Sequence, residues 1–213
     1  MPTLLIFDCD GTLIDSERLY NLAWVDVLAR YGLRWTVDDC ARRLMGLPLS
    51  DCYTVVAQEL GRALPPDFQD EVFAATDLIF AREGLQVVDG IREVLAALTQ
   101  PKCVASSGLH EHVMANLEHT GLLSHFGVER VFTVGMVPRG KPAPDIFLYA
   151  AKMMGAEPRD CVVIEDSVPG VQGARAAGMR VLGYGGNHHD PVALRQAGAE
   201  VFEDMRALPA LIG

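Results

Sequence analysis

The sequence predicts an α/β fold, a doubly wound parallel sheet that carries an inserted small α-helical domain. Three observations lead to this prediction. The chain opens with an apolar run at 4–7 that ends in polar residues, a pattern typical of a buried parallel strand. Several helical patterns follow, with no convincing strand among them. From residue 89 onward, short apolar runs alternate with helical segments over short connections, which is typical of a parallel sheet with helices on both faces.

Composition and charge exclude several classes of protein. The 213 residues suffice for one sizeable domain with a small insert, and half of them are hydrophobic, which predicts a folded core. The net charge of −10 argues against a general affinity for nucleic acid or for anionic membranes. No basic leader precedes the first apolar run, and no apolar stretch is long enough to span a bilayer. Five cysteines without a Cys-x-x-Cys pair fit free thiols in a reducing compartment, so we expect a cytoplasmic protein. The oligomeric state does not follow from these totals.

Apolar spacing sets the expected helices and strands, and glycine or proline marks their ends. Gly32 and Gly61, for example, interrupt two of the helical patterns. In chain order, we expect a strand at 4–7, helices at 14–31, 37–45, 50–60, 67–82 and 91–98, a strand at 102–106, a helix at 111–119, a strand at 131–134, a helix at 145–154, a strand at 161–164, a helix at 171–177 and a strand at 180–183. Residues 16–83 therefore form the expected helical insert, and residues 1–15 with 84–213 form the sheet domain.

The turn after the first strand carries two aspartates, Asp8 and Asp10, followed by Gly11 and Thr12. Ligand and catalytic groups of open α/β sheets lie just past the carboxyl ends of such strands. Two carboxylates so close repel each other unless a proton or a cation lies between them, which suits a hard cation such as Mg²⁺. They can also divide the chemistry, one as nucleophile and one as general acid and base. A simple polar turn is the alternative, because aspartate and glycine are common in turns.

Polar groups follow three further segments of the predicted sheet domain. Ser106 and Ser107 end one strand, where a hydroxyl and the next backbone N–H groups can bind an anion. Lys141 precedes a proline that restricts the backbone, so we expect a positioned rather than a mobile ammonium group. Glu165 and Asp166 end a buried strand and face the same crevice as the first aspartates. Helix capping by the serine and the carboxylates, and an exposed turn for the lysine, are the alternatives.

Together, these four segments resemble, in order, the signature motifs of the haloacid dehalogenase-like hydrolase superfamily. The resemblance covers the whole chain and implies a Rossmann-like core with a small helical cap domain inserted between the first and second motifs. The local sequence is most similar to the β-phosphoglucomutase and sugar-phosphatase branch. The segment 102–108 is similar to bacterial 6-phosphogluconate phosphatases of that branch. The motifs that carry the likeness are Asp8-x-Asp10-Gly11-Thr12-Leu13-Ile14-Asp15-Ser16-Glu17, Lys141-Pro142-x-Pro144-Asp145 and Glu165-Asp166-Ser167.

The resemblance implies a mechanism and a set of site residues. Asp8 would attack phosphorus to form an aspartyl-phosphate, and Asp10 would protonate the leaving oxygen and then activate water. The substrate would be a small phosphorylated metabolite, such as a sugar phosphate or 6-phosphogluconate. The implied Mg²⁺ ligands are Asp8, the backbone carbonyl of Asp10, and Asp166, with Glu165 bound either directly or through water. The implied phosphate-binding residues are Ser106, Ser107 and Lys141. Mg²⁺ and Lys141 would then balance the charges of three carboxylates.

The insert supplies the expected substrate contacts, with Tyr20, Arg43, Gly46 and Leu49 as candidates. β-Phosphoglucomutases present a histidine and an arginine where this chain has Tyr20 and Leu49, and the loop around Gly46 is apolar. We therefore favour hydrolysis over a mutase reaction. For Arg43, a position on a solvated helix face is the alternative that the sequence favours. A non-catalytic binding or regulatory module is a third possibility, and it predicts no turnover of phosphate esters.

Overall fold

The computed structural model describes residues 2–44, 47, 49–186 and 190–213. The chain divides into two compact units, Met1–Asp15 with Gln86–Gly213 and the intervening Ser16–Leu85. The strands are β1 Leu4–Phe7, β2 Ile14–Asp15, β3 Gln86–Val87, β4 Lys102–Ser106, β5 Val131–Thr133, β6 Cys161–Glu165, β7 Arg180–Tyr184 and β8 Glu200–Phe202. The helices are α1 Glu17–Arg30, α2 Val37–Leu44, α3 Leu49–Leu60, α4 Phe68–Glu83, α5 Ile91–Ala97, α6 His110–His119, α7 Asp145–Met153, α8 Val168–Ala176, α9 Pro191–Ala197 and α10 Leu208–Ile212.

The first unit is built on a six-stranded parallel sheet with the order β5-β4-β1-β6-β7-β8. The first strand therefore lies inside the sheet, between β4 on one side and β6 on the other. The chain winds outward in opposite directions from this position, which makes the carboxyl end of β1 the switch point where ligands of open α/β sheets bind. The predicted fold class, a doubly wound parallel α/β sheet, is confirmed.

Apolar side chains on the two faces of β1 bind the helices to the sheet. Ile6 belongs to a buried cluster with Phe147 of α7 and Val171 of α8. The next residue, Phe7, points to the opposite face because side chains alternate along a strand, and its ring contacts Phe126 edge-on at 5.9 Å. Burial on both faces explains why this strand is a continuous apolar run. No helix within the described ranges is long and apolar enough to cross a membrane.

The expected helix at 14–31 is wrong at its start. Helix α1 begins at Glu17, because Ile14 and Asp15 form strand β2, which pairs antiparallel with β3. Two residues per strand leave no period that a sequence pattern could show, so neither strand was predicted. Three elements near the carboxyl end, α9, β8 and α10, were also not predicted, although Asp190 caps α9 by accepting hydrogen bonds from two backbone N–H groups.

The second unit consists of α1 to α4, with α1 packed along α4. Its interior is aromatic. The Phe68 ring lies 6.0 Å from Trp24, 5.2 Å from Tyr31 and 5.8 Å from Tyr53. The Tyr31 hydroxyl donates a hydrogen bond of 2.6 Å to Glu71. The unit thus has a small hydrophobic core of its own.

Candidate active site

A closed turn after β1 holds Asp8 and Asp10. The backbone N–H of Asp8 donates to the carbonyl of Ile164 at 2.9 Å, so this residue continues the β1–β6 ladder beyond the strand. The Cys9 carbonyl accepts from the N–H groups of Leu13 and Ile14, at 2.9 and 3.0 Å, which closes the turn. Gly11 supplies the positive φ of 83° that the turn requires. The side chain of Asp8 is buried, whereas Asp10 is half-buried.

Lys141 reaches this turn from the segment before α7. Its Nζ donates hydrogen bonds to Asp8 Oδ1 and, at 2.6 Å, to Glu165 Oε1. Only 5% of the Lys141 side chain is exposed, and Nζ lies 5.2 Å from the centre of the Phe147 ring. One ammonium group therefore bridges the carboxylates at the ends of β1 and β6. The sequence left open that Lys141 lies in an exposed turn. That alternative does not describe this lysine, because its side chain is buried.

Burial and charge act in opposite directions on the groups of this cluster. Burial raises the pKa of Asp8 to about 7; Lys141 opposes the rise, and Glu165 adds to it. Burial alone would lower the pKa of Lys141, but Asp8 and Glu165 outweigh it and hold that pKa above its usual range. Burial, with Asp10 and Asp8, also raises the pKa of the Cys9 thiol well above its usual value. Lys141 is thus charged and Cys9 neutral, and a further cation beside Asp8 would favour its ionised form.

Glu165 is fully buried, and both of its carboxylate oxygens accept hydrogen bonds from the protein. Oε1 accepts from Lys141, and Oε2 accepts from the backbone N–H and the hydroxyl of Ser167 at 2.8 and 2.9 Å. The Ser167 hydroxyl in turn accepts from the Gly170 N–H at 3.1 Å and caps α8. A Cβ on Gly170 would lie 1.8 Å from Glu165 Oε1, so only glycine fits there. Sequence reasoning cited Ser167 as part of a motif without a contact and did not identify Gly170 as a site residue, although a serine before a helix is a capping signal.

Asp166 has a different partner. The hydroxyl of Thr12 donates to Asp166 Oδ1 at 2.6 Å, and both side chains are buried. Thr12 belongs to the turn after β1, so the hydrogen bond joins the ends of β1 and β6 a second time. Sequence reasoning cited Thr12 as part of a motif and assigned it no contact.

The end of β4 contributes Ser106, which is buried and accepts a hydrogen bond from the Gly108 N–H at 3.0 Å. Ser107 is exposed. A Cβ on Gly108 would lie 3.9 Å from Asp10 Oδ2, which places the Asp10 carboxylate near the loop after β4. The carboxyl ends of β4, β1 and β6 thus gather the side chains of the four predicted motifs.

The predicted residues of the helical unit have partners within that unit. The half-buried Tyr20 ring packs edge-on against Phe80 with ring centres 5.3 Å apart. Arg43 donates to Glu59 at 3.1 Å and stacks over Trp35 at 4.9 Å. Leu49 opens α3 and is 38% exposed. The fourth candidate, Gly46, lies outside the described residues.

The chemistry of the donor set decides whether Mg²⁺ fits the cluster. In the described part of the chain, no group of three or more histidine, cysteine, aspartate or glutamate side chains forms a ready metal site. Mg²⁺, however, keeps several waters and uses one or two carboxylates with substrate phosphate, so it does not need such a group. Asp8 and Asp166 offer oxygen donors at neighbouring strand ends, and the Asp10 carbonyl adds a third of the same type. The residues therefore fit a hard cation.

Comparison with known proteins identifies the family of this chain. The fold is a doubly wound parallel α/β sheet, and residues 2–178 match the model of a family described as haloacid dehalogenase-like hydrolase. The chain belongs to this family, which confirms the resemblance seen in the sequence.

The named relatives of this chain indicate which reaction it catalyses within the family. The chain is 29% identical to the 6-phosphogluconate phosphatase of Escherichia coli, over 87% of this chain and 84% of that protein. It is 34% identical to a fructose-1-phosphate phosphatase of the same organism, over 82% and 92%. A crystal structure of a HAD family hydrolase from Deinococcus radiodurans with bound phosphate and sodium has a TM-score of 0.82 at 31% identity, covering 99% of this chain and 96% of that one. These relatives place the chain among phosphoric monoester hydrolases.

Proposed function

We propose that the protein is a Mg²⁺-dependent phosphatase that hydrolyses a small phosphorylated metabolite through an aspartyl-phosphate intermediate. A sugar phosphate or a phosphorylated sugar acid such as 6-phosphogluconate is the proposed substrate. One observation carries the proposal: a buried aspartate at the switch point of the sheet is held by a buried lysine that a second strand-end carboxylate also binds. A phosphoryl group needs such a nucleophile and such a positive charge together.

In the first step, an oxygen of Asp8 attacks phosphorus, and the bond from phosphorus to the ester oxygen breaks. Asp10 donates its proton to the leaving oxygen, which departs as an alcohol. A carboxylate nucleophile divides a very slow hydrolysis into two easier displacements. The hydrogen bond from Lys141 orients Asp8, and the ammonium charge offsets the negative charge of the phosphoryl group.

In the second step, water attacks the aspartyl-phosphate. Asp10, now a carboxylate, takes a proton from that water, and the bond from phosphorus to the Asp8 oxygen breaks. Inorganic phosphate leaves and both carboxyl groups return to their starting states. The half-buried position of Asp10, beside the loop after β4, suits a group that must exchange protons with water and with a leaving group.

Lys141, Ser106 and Ser107 are the proposed phosphate-binding groups. Lys141 provides charge, and the end of β4 provides a hydroxyl and backbone N–H groups. The residues that would hold Mg²⁺ are Asp8, Asp166 and the Asp10 carbonyl, and when bound the ion neutralises charge on the phosphoryl oxygens. Glu165 contributes indirectly in this proposal, because its two oxygens are bound to Lys141 and Ser167.

Substrate choice is assigned to the helical unit, with Tyr20, Gly46 and Leu49 as the proposed contacts. The phosphatase names of the relatives support a hydrolase rather than a mutase. Five free, buried cysteines support a reducing compartment, and we propose a cytoplasmic location on that ground.

A substrate screen tests the proposal. The full-length protein is incubated with Mg²⁺ and a panel of phosphorylated sugars, sugar acids, polyols and nucleotides, and released phosphate is measured. We expect turnover of one or a few small sugar-type phosphates. Conversion of a sugar phosphate to its positional isomer without phosphate release would instead identify a mutase, and inactivity on every ester would favour a binding module.

Two further measurements address the chemistry. Excess chelator should abolish turnover, and added Mg²⁺ should restore it. Ca²⁺ should inhibit, because its larger and looser coordination misplaces the reacting groups. Acid quenching during turnover should trap a phosphate on the peptide that contains Asp8, detected by mass spectrometry. Full activity in chelator contradicts the metal assignment, and a phosphate trapped on another residue contradicts the nucleophile assignment.

A further inference from the structure

Thr12 connects the turn after β1 to the carboxylate that follows β6. Its hydroxyl donates to Asp166 Oδ1 at 2.6 Å, within the range of short hydrogen bonds to an ionised oxygen. Thr12 is fully buried and Asp166 is 6% exposed. A buried carboxylate is stable as an anion only where donors or cations replace the lost water. The threonine hydroxyl is such a donor.

The threonine is held rigidly in this turn. The N–H of Gly11 donates to the Ile14 carbonyl at 2.8 Å, and the N–H groups of Leu13 and Ile14 both donate to the Cys9 carbonyl. These hydrogen bonds close the backbone on either side of Thr12. A β-branched side chain also has few χ1 rotamers. The hydroxyl is therefore fixed before any ligand arrives.

The adjacent carboxylates Glu165 and Asp166 depend on separate supports. Glu165 accepts from Lys141 and from Ser167, whereas Asp166 accepts from Thr12, a residue at the end of a different strand. A change at Thr12 can thus alter one carboxylate without touching the hydrogen bonds of the other. This separation makes the contribution of Thr12 measurable.

We propose that Thr12 is a positioning residue that fixes the plane of the Asp166 carboxylate for Mg²⁺ binding. The inference rests on the proposed function, since it takes Asp166 as a metal ligand. A donor to one carboxylate oxygen limits rotation of the group, so less conformational freedom is lost when a cation binds. Loss of such an outer hydrogen bond typically weakens metal binding by about 10–100-fold.

Isosteric and conservative substitutions separate the hydroxyl from the side-chain volume. Thr12→Val keeps the shape and removes the donor, and Thr12→Ser keeps the donor. Each full-length protein is titrated with Mg²⁺ by calorimetry without substrate, and the Mg²⁺ concentration for half-maximal hydrolysis of an aryl phosphate is measured separately. We expect Thr12→Val to raise both values by at least ~10-fold, Thr12→Ser to stay within ~3-fold of the parent, and saturating Mg²⁺ to restore most of kcat in Thr12→Val.

Melting temperatures of all the proteins serve as a control, because a merely structural threonine would lower stability without changing Mg²⁺ affinity. Unchanged affinity in Thr12→Val overturns the inference, as does an equal loss in Thr12→Ser. If Thr12→Val does not fold, Thr12→Ala is compared with Thr12→Ser in the same way. A parent protein that neither binds nor requires Mg²⁺ overturns the metal part of the proposed function, and this inference with it. If the parent depends on Mg²⁺ and Thr12→Val has an unchanged Mg²⁺ affinity, this inference is overturned and the proposed function stands.

Discussion

Two cations predicted to bind substrate, Lys141 in the sheet unit and Arg43 in the helical unit, have opposite surroundings. The Lys141 side chain is 5% exposed and binds the carboxylates of Asp8 and Glu165. The Arg43 side chain is 45% exposed, pairs with Glu59 and stacks over Trp35. The lysine is part of a buried network, whereas the arginine has local partners on a surface.

This difference shows that the burial of a charged residue indicates whether it belongs to a functional site. A buried ammonium group is stable only beside negative charge, so its position implies a site. An exposed guanidinium group pairs with whatever lies nearby, at a small gain in free energy. Substitutions in the buried network should therefore have large effects, and substitutions in the helical unit small ones.

Asp8→Asn should have the largest effect. The substitution keeps the shape of the side chain and removes the charge that attacks phosphorus, so kcat should fall by at least ~10³. Asp38→Asn, an equivalent change at an exposed helix position, should leave kcat within ~2-fold. Steady-state kinetics on one sugar phosphate checks both. A near-normal kcat for Asp8→Asn would remove this residue from its role.

Lys141→Met should have the next largest effect. It leaves two buried carboxylates without their shared cation, so we expect kcat/KM to fall by ~10²–10³ and the free energy of unfolding to drop by ~3–5 kcal/mol. Kinetics and urea denaturation provide the measurements.

Two variants control this test. The same substitution at the exposed Lys152 should change neither quantity. Ser106→Ala should cost less activity than Lys141→Met, because backbone donors remain at the end of β4. A greater loss at Ser106 would show that charge is not the dominant part of phosphate binding.

Gly170→Ala tests whether the packing around Glu165 holds the buried cluster of Asp8, Lys141 and Glu165 in place. It removes none of the charges of that cluster. The new methyl group would overlap the Glu165 carboxylate, so Glu165 must move and Lys141 with it. We expect ~10-fold lower kcat and a loss of ~1–3 kcal/mol in stability. Gly135→Ala is the matched control, since a Cβ there meets nothing within 4 Å. Equal behaviour of the two variants in kinetics and thermal melts would mean that Glu165 does not position the lysine.

Substitutions in the helical unit should have the smallest effects on chemistry. Arg43→Ala removes an exposed pair, so stability should change by less than ~1 kcal/mol. Leu49→Lys should alter the ranking of substrates through KM, and turnover of a small aryl phosphate should stay within ~2-fold. A substrate panel on each variant beside the parent is the measurement. An unchanged ranking in Leu49→Lys would contradict the assignment of specificity to Leu49, and the argument against a mutase would lose that support.

The same contrast explains what the sequence could predict. The sheet was predictable because β1, β4 and β6 are buried on both faces, and continuous apolar runs follow from that burial. The site was predictable as a set, since carboxyl ends of parallel strands share one edge. The contacts within it were not, because the bridging of Asp8 and Glu165 by Lys141 depends on side-chain geometry.

Other features left too weak a pattern to predict. Strands β2 and β3 have two residues each, which is too few to show an alternating pattern. Strand β8 begins at the exposed Glu200 and lacks the continuous buried run that marked the equally short β5. In the helical unit, stacking of Arg43 on Trp35 depends on how the helices pack, and spacing along one helix does not reveal it.

The inner position of β1 also has a consequence for how the chain acquires its structure during synthesis. Leu5 pairs with Lys102 on one side and with Val162 on the other. One edge of β1 therefore stays uncovered until β4 at 102–106 is synthesised, and the other stays uncovered until β6 at 161–165 follows. The helical unit is one continuous segment and can fold earlier from local contacts. An unpaired apolar strand is prone to aggregation in the meantime, and the acidic turn that follows it places charge beside it during that interval.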